Sequence, residues 1–145
     1  MNNNHRLTIS FAANFKNVDM VRAAVKGVCS EFFQLECNAT SVMDFCLIVT
    51  ELMNNAVEHS GSTLLDAEIQ LKDQEAIFRL ISDGKGFDPT QKAVMPDVEQ
   101  DDLPEGGYGL ALIQSLADGM EYERQEKRNM VTLRKIFPVK AEKEQ

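Results

Sequence analysis

The sequence predicts an α+β fold, a two-layer α/β sandwich in which helices cover one face of a mixed, mostly antiparallel sheet. Two long segments, 18–32 and 42–57, carry apolar residues at the three- and four-residue spacing of amphipathic helices. Shorter segments alternate apolar and polar residues, as strands with one buried face do. Two of these segments are separated only by a short polar turn, which predicts a hairpin.

The first predicted elements are a strand and two amphipathic helices. Leu7, Ile9 and Phe11 alternate with polar residues, which predicts the strand, and Asn14 can cap the helix that follows. A glycine at position 61 marks the end of the second helix. The apolar positions of the first helix are Val18, Val21, Val25, Val28, Cys29 and Phe32. Those of the second helix are Val42, Phe45, Cys46, Val49, Leu52, Met53, Ala56 and Val57.

A hairpin, a long connection, a short helix and a last pair of strands follow. The alternation over 65–71 predicts a strand with one face in water, and the more continuously apolar run 77–81 predicts a more central strand. Glycines and prolines over 82–107 predict a long connection, and such connections inside a compact domain are usually functional or disordered. The last predicted elements are a helix over 110–117 and strands over 121–124 and 130–137.

The composition predicts one globular domain, 1–145, with a charged tail at 140–145. Apolar residues make up 43% of the 145 residues, which is ordinary for a fold with its own core. The net charge of −8 without a basic cluster disfavours nucleic-acid binding, and no apolar run approaches the ~20 residues of a membrane span. The three cysteines form no CxxC pair. We therefore expect a cytoplasmic protein with buried thiols and with neither membrane nor nucleic acid as a partner.

Three motifs interrupt the apolar pattern. Glu51 and Asn55 are four residues apart and share one helix face, where a carboxylate can accept a proton and an amide oxygen can ligate Mg²⁺. Gly84 and Gly86 allow the backbone after the hairpin to approach a ligand closely. The segment 107–110 places glycines before a helix whose free amides attract phosphate. Taken singly, the motifs are equally compatible with a solvated helix face, a tight turn and a helix cap.

In order and spacing, the three motifs resemble the nucleotide-binding domain shared by gyrase, heat-shock chaperones, histidine kinases and MutL repair proteins, the GHKL superfamily. Within it, the chain is most similar, over about 7–137, to the short anti-sigma factor serine kinases of the RsbW and SpoIIAB type. Those proteins carry an alanine and a nearby histidine after the helix asparagine, here Ala56 and His59. The three matching boxes are Glu51-x-x-x-Asn55, Gly84-x-Gly86 and Gly107-x-Gly109-Leu110.

The resemblance implies the Bergerat ATP-binding fold, with Mg-ATP held between the helices and the sheet. It implies that Glu51 is the general base on the hydroxyl of a partner protein's serine and that Asn55 ligates the Mg²⁺ that bridges the phosphates. A lid over the ATP is expected at about 87–106. The other contacts to the cofactor that the boxes imply are Gly84, Gly86, Gly107, Gly109 and Leu110.

The resemblance also implies protein partners. The implied substrate is a serine on a small anti-anti-sigma protein of the STAS type, and a sigma factor is the competing partner in a partner-switching system. Arg22, on the first helix, matches a position that such proteins use against their partners. A homodimer is expected, because the family habitually forms one.

The sequence departs from the family pattern at the adenine end of the site. The family usually has an aspartate two residues before the first glycine of the second box, where it recognises the adenine amino group. The ungapped alignment puts Ser82 there, and Asp83 falls one place later. Strand alternation turns Ser82 to the same face as Phe78 and Leu80, whereas a bulge would turn Asp83 inward, so either side chain is a candidate contact. Near the last strand, 128–130 replaces the family's Gly-Thr pair.

These departures leave two alternatives open. The chain could be a nucleotide-binding module of the same fold in which catalysis is weak or lost, and which sequesters a regulator through the first-helix surface around Arg22. It could also be the catalytic module of a histidine kinase. The absence of room for a dimerisation helical hairpin and the early strand favour the anti-sigma type over that second alternative.

Overall fold

Eight helices and strands form in the computed structural model of the chain, which describes residues 4–84 and 108–138. Each element that the sequence pattern predicts is present, with its ends shifted by a few residues at most. The expected lid at 87–106, the expected tail at 140–145, and the candidates Gly86 and Gly107 lie outside the described residues. In chain order the elements are β1 (His5–Ala12), α1 (Phe15–Phe33), α2 (Thr40–His59), β2 (Leu64–Lys72), β3 (Glu75–Ser82), α3 (Tyr108–Leu116), β4 (Gly119–Gln125) and β5 (Arg128–Ile136).

The five strands form one sheet in the order β1-β2-β3-β5-β4. All four of the described strand pairs are antiparallel. Strand β3 is central, as its apolar run predicts. Its last residue, Ser82, lies beside Leu65 of β2 and Asn129 of β5, so the end of β3 meets the start of both neighbours.

The three helices cover one face of the sheet, which confirms the predicted two-layer α+β sandwich. Alternate residues of β2 and β3 turn toward the helices and are buried. Removing a large apolar side chain of this kind from water is worth about 1.5–3 kcal/mol, so this layer contributes much of the stability of the fold. Fully buried members from both layers include Phe45, Ile48, Leu52, Ile69, Phe78 and Leu133.

The opposite face of the sheet carries cross-strand ion pairs. Carboxylate oxygens of Glu68 on β2 lie 2.9 Å from Nη1 of Arg79 on β3 and 3.5 Å from Nε of Arg6 on β1. A third pair joins Glu75 and Arg134 at 3.6 Å. Partly exposed pairs each contribute little stability, but they keep this face polar. They account for the alternation that predicts one wet face over 65–71.

The helices are amphipathic and have defined ends. Helix α1 begins after Asn14, whose Oδ1 accepts a hydrogen bond of 2.8 Å from the backbone N–H of Asn17. At its other end, the ring of Phe33 stacks on the ring of Phe137 with centroids 4.2 Å apart, which joins α1 to the residue after β5. None of the described helices combines the length and the hydropathy that a membrane crossing requires.

Candidate functional site

The polar face of α2 forms one wall of the candidate site. Glu51 and Asn55 are half-buried and lie four residues apart, so they stack along one side of the helix. The buried residues Val49 and Met53 occupy the opposite side and pack into the core. The core contacts of α2 therefore fix the direction in which the carboxylate and the amide point.

The first turn of α3 packs directly against Glu51. A Cβ atom added at Gly109 would overlap Oε1 of Glu51 and would lie 3.2 Å from its Cδ. A side chain at position 109 would therefore force the Glu51 carboxylate to turn away from the first turn of α3, and glycine leaves it in place. The next residue, Leu110, is half-buried in the same turn. Of the third box, the structure thus brings Gly109 to Glu51, while Gly107 lies outside the described residues.

The contact between Glu51 and α3 places a proton acceptor beside a group of hydrogen-bond donors. The free backbone amides of a helix N-terminus carry positive potential and can donate hydrogen bonds to phosphate oxygens. The Glu51 carboxylate, beside the first turn of α3, is a proton acceptor. An anionic group at the start of α3 and a hydroxyl beside Glu51 would therefore be neighbours.

Ser82 ends β3 on the face of the sheet that the helices cover. Its side chain is only 6% exposed, and it makes no hydrogen bond within the described residues. Strand pairing runs through Ser82 without a bulge, and the side chain of Asp83 is exposed. Of the two candidates, Ser82 therefore takes the inward position. A buried hydroxyl that has no partner in this part of the chain is available to a ligand.

Gly84 is held through both of its backbone polar groups. Its N–H donates to Oγ of Ser62 at 2.9 Å, and its carbonyl oxygen accepts from Nδ2 of Asn129 at 2.9 Å. A Cβ atom at this position would overlap the carbonyl of Ser60, the residue that follows α2. The backbone after β3 therefore lies against the end of α2, an approach that only glycine permits.

Asn129 links Gly84 to β4. Its side chain is buried, and its Oδ1 accepts hydrogen bonds from Oη of Tyr122 at 3.0 Å and from Nη1 of Arg124. The sequence marks Asn129 only as a departure from the family's Gly-Thr pair and does not predict this network. The network could have been predicted only from the register of β4 and β5. In that register, Tyr122, Arg124 and Asn129 occupy neighbouring positions on the face of the two strands that carries buried residues.

Asn55 is the candidate metal ligand in this site. Within residues 4–84 and 108–138, no group of three or more histidine, cysteine, aspartate or glutamate side chains could hold a metal ion. Mg²⁺ bound to a nucleotide keeps several waters and takes other ligands from the phosphates, so one or two protein oxygens are enough. The amide oxygen of Asn55, one helical turn from Glu51, fits that requirement.

Arg22 lies on a different surface. It forms an ion pair of 3.4 Å with Asp19 on α1 and lines a groove between α1 and α2. The same groove is lined by Thr50, which immediately precedes Glu51 on α2. Of the described candidates, the structure brings Gly109 to Glu51 and Gly84 to the residue that follows α2, and Asn55 shares the helix face of Glu51.

A model of the histidine kinase-like ATPase domain matches residues 11–135. The chain belongs to this family. The match covers all three boxes and every element that builds the site. It confirms the GHKL resemblance drawn from those boxes, and it describes the chain as an ATPase-type, kinase-like module.

One solved structure shares the fold at low sequence identity, and a second is similar over much of the chain. The RsbU and RsbW domains of Rv1364c from Mycobacterium tuberculosis match with a TM-score of 0.60 and 18% identity over 91% of this chain. This chain spans 32% of the length of that structure. The histidine kinase AdeS of Acinetobacter baumannii matches with a TM-score of 0.48 and 17% identity, over 90% of this chain and 68% of that one. A comparison with curated proteins gave no match.

Proposed function

We propose that the protein binds Mg-ATP and transfers the γ-phosphoryl group to a serine of a partner protein, as an anti-sigma-type regulator. The observation that carries the proposal is the contact between Glu51 and Gly109, which sets a proton acceptor beside the N-terminal amides of α3. Phosphoryl transfer depends mainly on positioning and on stabilisation of charge, and this contact supplies both.

Glu51 removes the proton from the serine hydroxyl in this scheme. The serine oxygen forms a bond to the γ-phosphorus, the bond from that phosphorus to the bridging oxygen breaks, and ADP leaves. The proton ends on the Glu51 carboxylate. Amides in the first turn of α3 donate to phosphate oxygens as their negative charge shifts during transfer.

Asn55 and Ser82 hold the two ends of the nucleotide. Asn55 offers Oδ1 to Mg²⁺, which when bound neutralises charge on the phosphates, and it does so one helical turn from the proposed base. Ser82 offers a hydroxyl that can accept a hydrogen bond from an adenine amino group, without the added strength of a carboxylate. The hydrogen bonds at Gly84 fix the backbone between these two ends.

For the partners, we propose an anti-anti-sigma protein of the STAS type as substrate and a sigma factor as competitor, in the cytoplasm. Support comes from the resemblance of nearly the whole chain to the RsbW and SpoIIAB type. The fold shared with a structure that contains an RsbW domain is consistent with it. We assign partner contact to Arg22 and expect the chain to act as a homodimer.

The test is phosphate transfer from labelled Mg-ATP to purified STAS-type proteins of the same organism. Glu51→Gln keeps the shape of the side chain but removes the base, so transfer should fall by roughly 10²–10⁴-fold while ATP affinity stays within a few-fold. Asn55→Ala should abolish the Mg²⁺ dependence of ATP binding. Asn54→Ala, at the adjacent half-buried position, is the matched control and should leave both measurements close to wild type. Equal transfer by wild type and Glu51→Gln would refute the proposed role of the carboxylate.

A second candidate function, sequestration of a regulator without catalysis, is favoured by Ser82. A site that lacks the adenine-binding carboxylate loses a charge-assisted hydrogen bond, which weakens nucleotide binding. Calorimetric titration separates the two functions. Tight, Mg²⁺-dependent ATP binding supports the kinase, whereas tight binding of the partner with no measurable ATP binding supports sequestration.

A further inference from the structure

The C-terminal end of α3 is tied to β5 by hydrogen bonds that come from outside the helix. Nζ of Lys135, on β5, donates to the carbonyl oxygen of Leu116 at 2.8 Å. Asp118 adds two bonds, because its N–H donates to the carbonyl oxygen of Arg134 at 2.8 Å and its Oδ2 accepts from the N–H of Ile136 at 2.7 Å. The end of α3 and the short link that follows it are therefore fixed to β5.

Lys135 supplies a positive charge that α3 itself lacks at this end. The last turn of α3 contains no basic residue. Carbonyl oxygens at a helix C-terminus carry partial negative charge and have no partner within the helix, so a cation there satisfies an acceptor and stabilises the helix dipole. Lys135 is half-buried and alternates with the buried residues Leu133 and Phe137, so it lies on the face of the sheet that the helices cover.

Helix α3 depends on such contacts because it is short. It has 9 residues, and an isolated helix shorter than about 12–15 residues is only marginally stable in water. The buried side chains of Ala111 and Ile113 determine which side of α3 faces the core. Apolar contacts are not directional, whereas a hydrogen bond requires a particular distance and angle. The bond from Lys135 therefore fixes the position of α3 along its own axis.

The opposite end of α3 is the end on which the proposed function depends. Gly109 and Leu116 lie about 10 Å apart along the helix axis, at a rise of ~1.5 Å per residue. A helix of this length moves as a rigid element, so a displacement at its C-terminus is carried to its first turn. There, a shift would separate the backbone amides from the carboxylate of Glu51, which Gly109 contacts.

We propose that Lys135 is a positioning residue, which from β5 holds α3 at the place along its axis where the first-turn amides meet the phosphates of the nucleotide. In this role Lys135 acts through α3 and has no contact with the nucleotide. The inference rests on the proposed function for the role of the first turn. The anchoring of α3 needs no nucleotide, so the two can fail independently.

The test compares Lys135→Met with Arg134→Met in the full chain. Lys135→Met keeps an unbranched side chain and removes the ammonium group. Arg134→Met is the matched control, because it removes one positive charge from the adjacent residue of β5, on the opposite face, where Arg134 pairs with Glu75.

Two titrations separate the phosphate end of the nucleotide from the base end. Calorimetry gives the affinity for Mg-ATP and ADP, and chemical-shift titration gives the weaker affinity for adenosine, which has no phosphate. Lys135→Met should lower the affinity for ATP and ADP at least about fivefold and leave that for adenosine within about twofold of wild type. Arg134→Met should leave all three affinities unchanged.

Two further variants make the comparison independent of how well Lys135→Met folds. Lys135→Arg keeps a cation with several donors and should retain the ATP affinity of wild type within about twofold. Lys135→Gln removes the charge but keeps a donor, so its ATP affinity should fall in the same direction as that of Lys135→Met, by less. It replaces Lys135→Met if that variant does not fold.

Amide hydrogen exchange tests the anchoring without nucleotide. Exchange over residues 113–116 should be at least about tenfold faster in Lys135→Met than in wild type and unchanged in Arg134→Met. The proposal is overturned if ATP affinity is unchanged in Lys135→Met, because Lys135 then only caps the helix. An equal loss of affinity for ATP and adenosine also overturns it, since that indicates general damage to the fold. Wild type that binds neither ATP nor ADP would instead refute the proposed function, and the exchange rates would still decide whether Lys135 anchors α3.

Discussion

Nδ2 of Asn129 donates a hydrogen bond of 2.9 Å to the carbonyl oxygen of Gly84, and this bond ties β5 to the backbone that leaves β3. The same carbonyl receives Nη1 of Arg124 at 3.4 Å. Removing the amide would leave the hydroxyl of Tyr122 and the Gly84 carbonyl without a shared partner. The cost of removing these half-buried groups from water is then only partly offset, so the contribution of the Asn129 side chain can be measured.

Asn129→Ala should lower the free energy of unfolding by about 1–3 kcal/mol, because it removes a buried amide on which the half-buried polar groups of Tyr122 and Gly84 depend. It should also weaken ATP binding, since the backbone at Gly84 is no longer fixed. Urea unfolding and nucleotide titration measure the two effects. Gln125→Ala, at an exposed position on β4, should change stability by less than about 0.5 kcal/mol. If Asn129→Ala matches that control in both assays, the network has no positioning role.

Gly109→Ala should impair the site, because the added methyl group overlaps Oε1 of Glu51 and forces the carboxylate to turn away from the first turn of α3. We expect ATP binding and phosphate transfer to fall at least about tenfold. Gly27→Ala is the matched control, since a Cβ atom there meets nothing within 4 Å. In the interior of α1 that change should stabilise the protein by about 0.5–1 kcal/mol. Normal activity of Gly109→Ala would mean that α3 does not need this approach to Glu51.

Ser82→Asp should strengthen ATP binding and increase the preference for ATP over GTP. A carboxylate only accepts hydrogen bonds, so it favours the adenine amino group, whereas a hydroxyl can also donate to the guanine oxygen. Competition between the two nucleotides for the wild type and the variant gives the ratio. If Asp83→Asn weakens ATP binding while Ser82→Asp has no effect, the base contacts Asp83 and the inward serine is not part of the site.

The Cys29 thiol should make stability depend on pH in alkaline solution. Burial, with the nearby thiol of Cys46, raises the pKa of Cys29 above its ordinary value of 9.0. The unfolded thiol therefore loses its proton first, and the free energy of unfolding should fall by about 1.4 kcal/mol per pH unit above pH 9.0. Below that pH the thiol contributes no slope.

Urea unfolding on both sides of pH 9.0 measures this dependence. Cys29→Ala should be less stable at every pH, because it leaves a cavity, but its alkaline slope should be shallower by the contribution of one thiol. Identical slopes for wild type and Cys29→Ala would contradict the expectation.

The sequence pattern was sufficient for the elements, and it favoured an inward Ser82 while leaving a bulge at Asp83 open. Apolar periodicity reports which face of a helix or strand is buried, and alternation from Phe78 through Leu80 turns Ser82 inward. The pattern does not report which strands become neighbours. Strand β5 inserts between β3 and β4, and this order alone places Asn129 beside Ser82.

The contacts between separate helices could not be predicted from the apolar periodicity of the sequence either. Spacing puts Glu51 on the polar face of α2, but the approach of Gly109 depends on how α3 packs against that face. The groove beside Arg22 depends on how α1 and α2 pack together. Both features depend on distances between segments that are far apart in the chain, and local periodicity does not predict such distances.

Gly84 and Gly109 have a further consequence for the connection that runs between them. Each glycine is fixed at α2, Gly84 against Ser60 and Gly109 against Glu51, so the two ends of the connection are set by contacts outside it. Loop-closure entropy grows slowly, by about 0.6 kcal/mol for each doubling of length. A longer connection between the same two glycines should therefore cost little stability, because the contacts at Ser60 and Glu51 do not depend on its length.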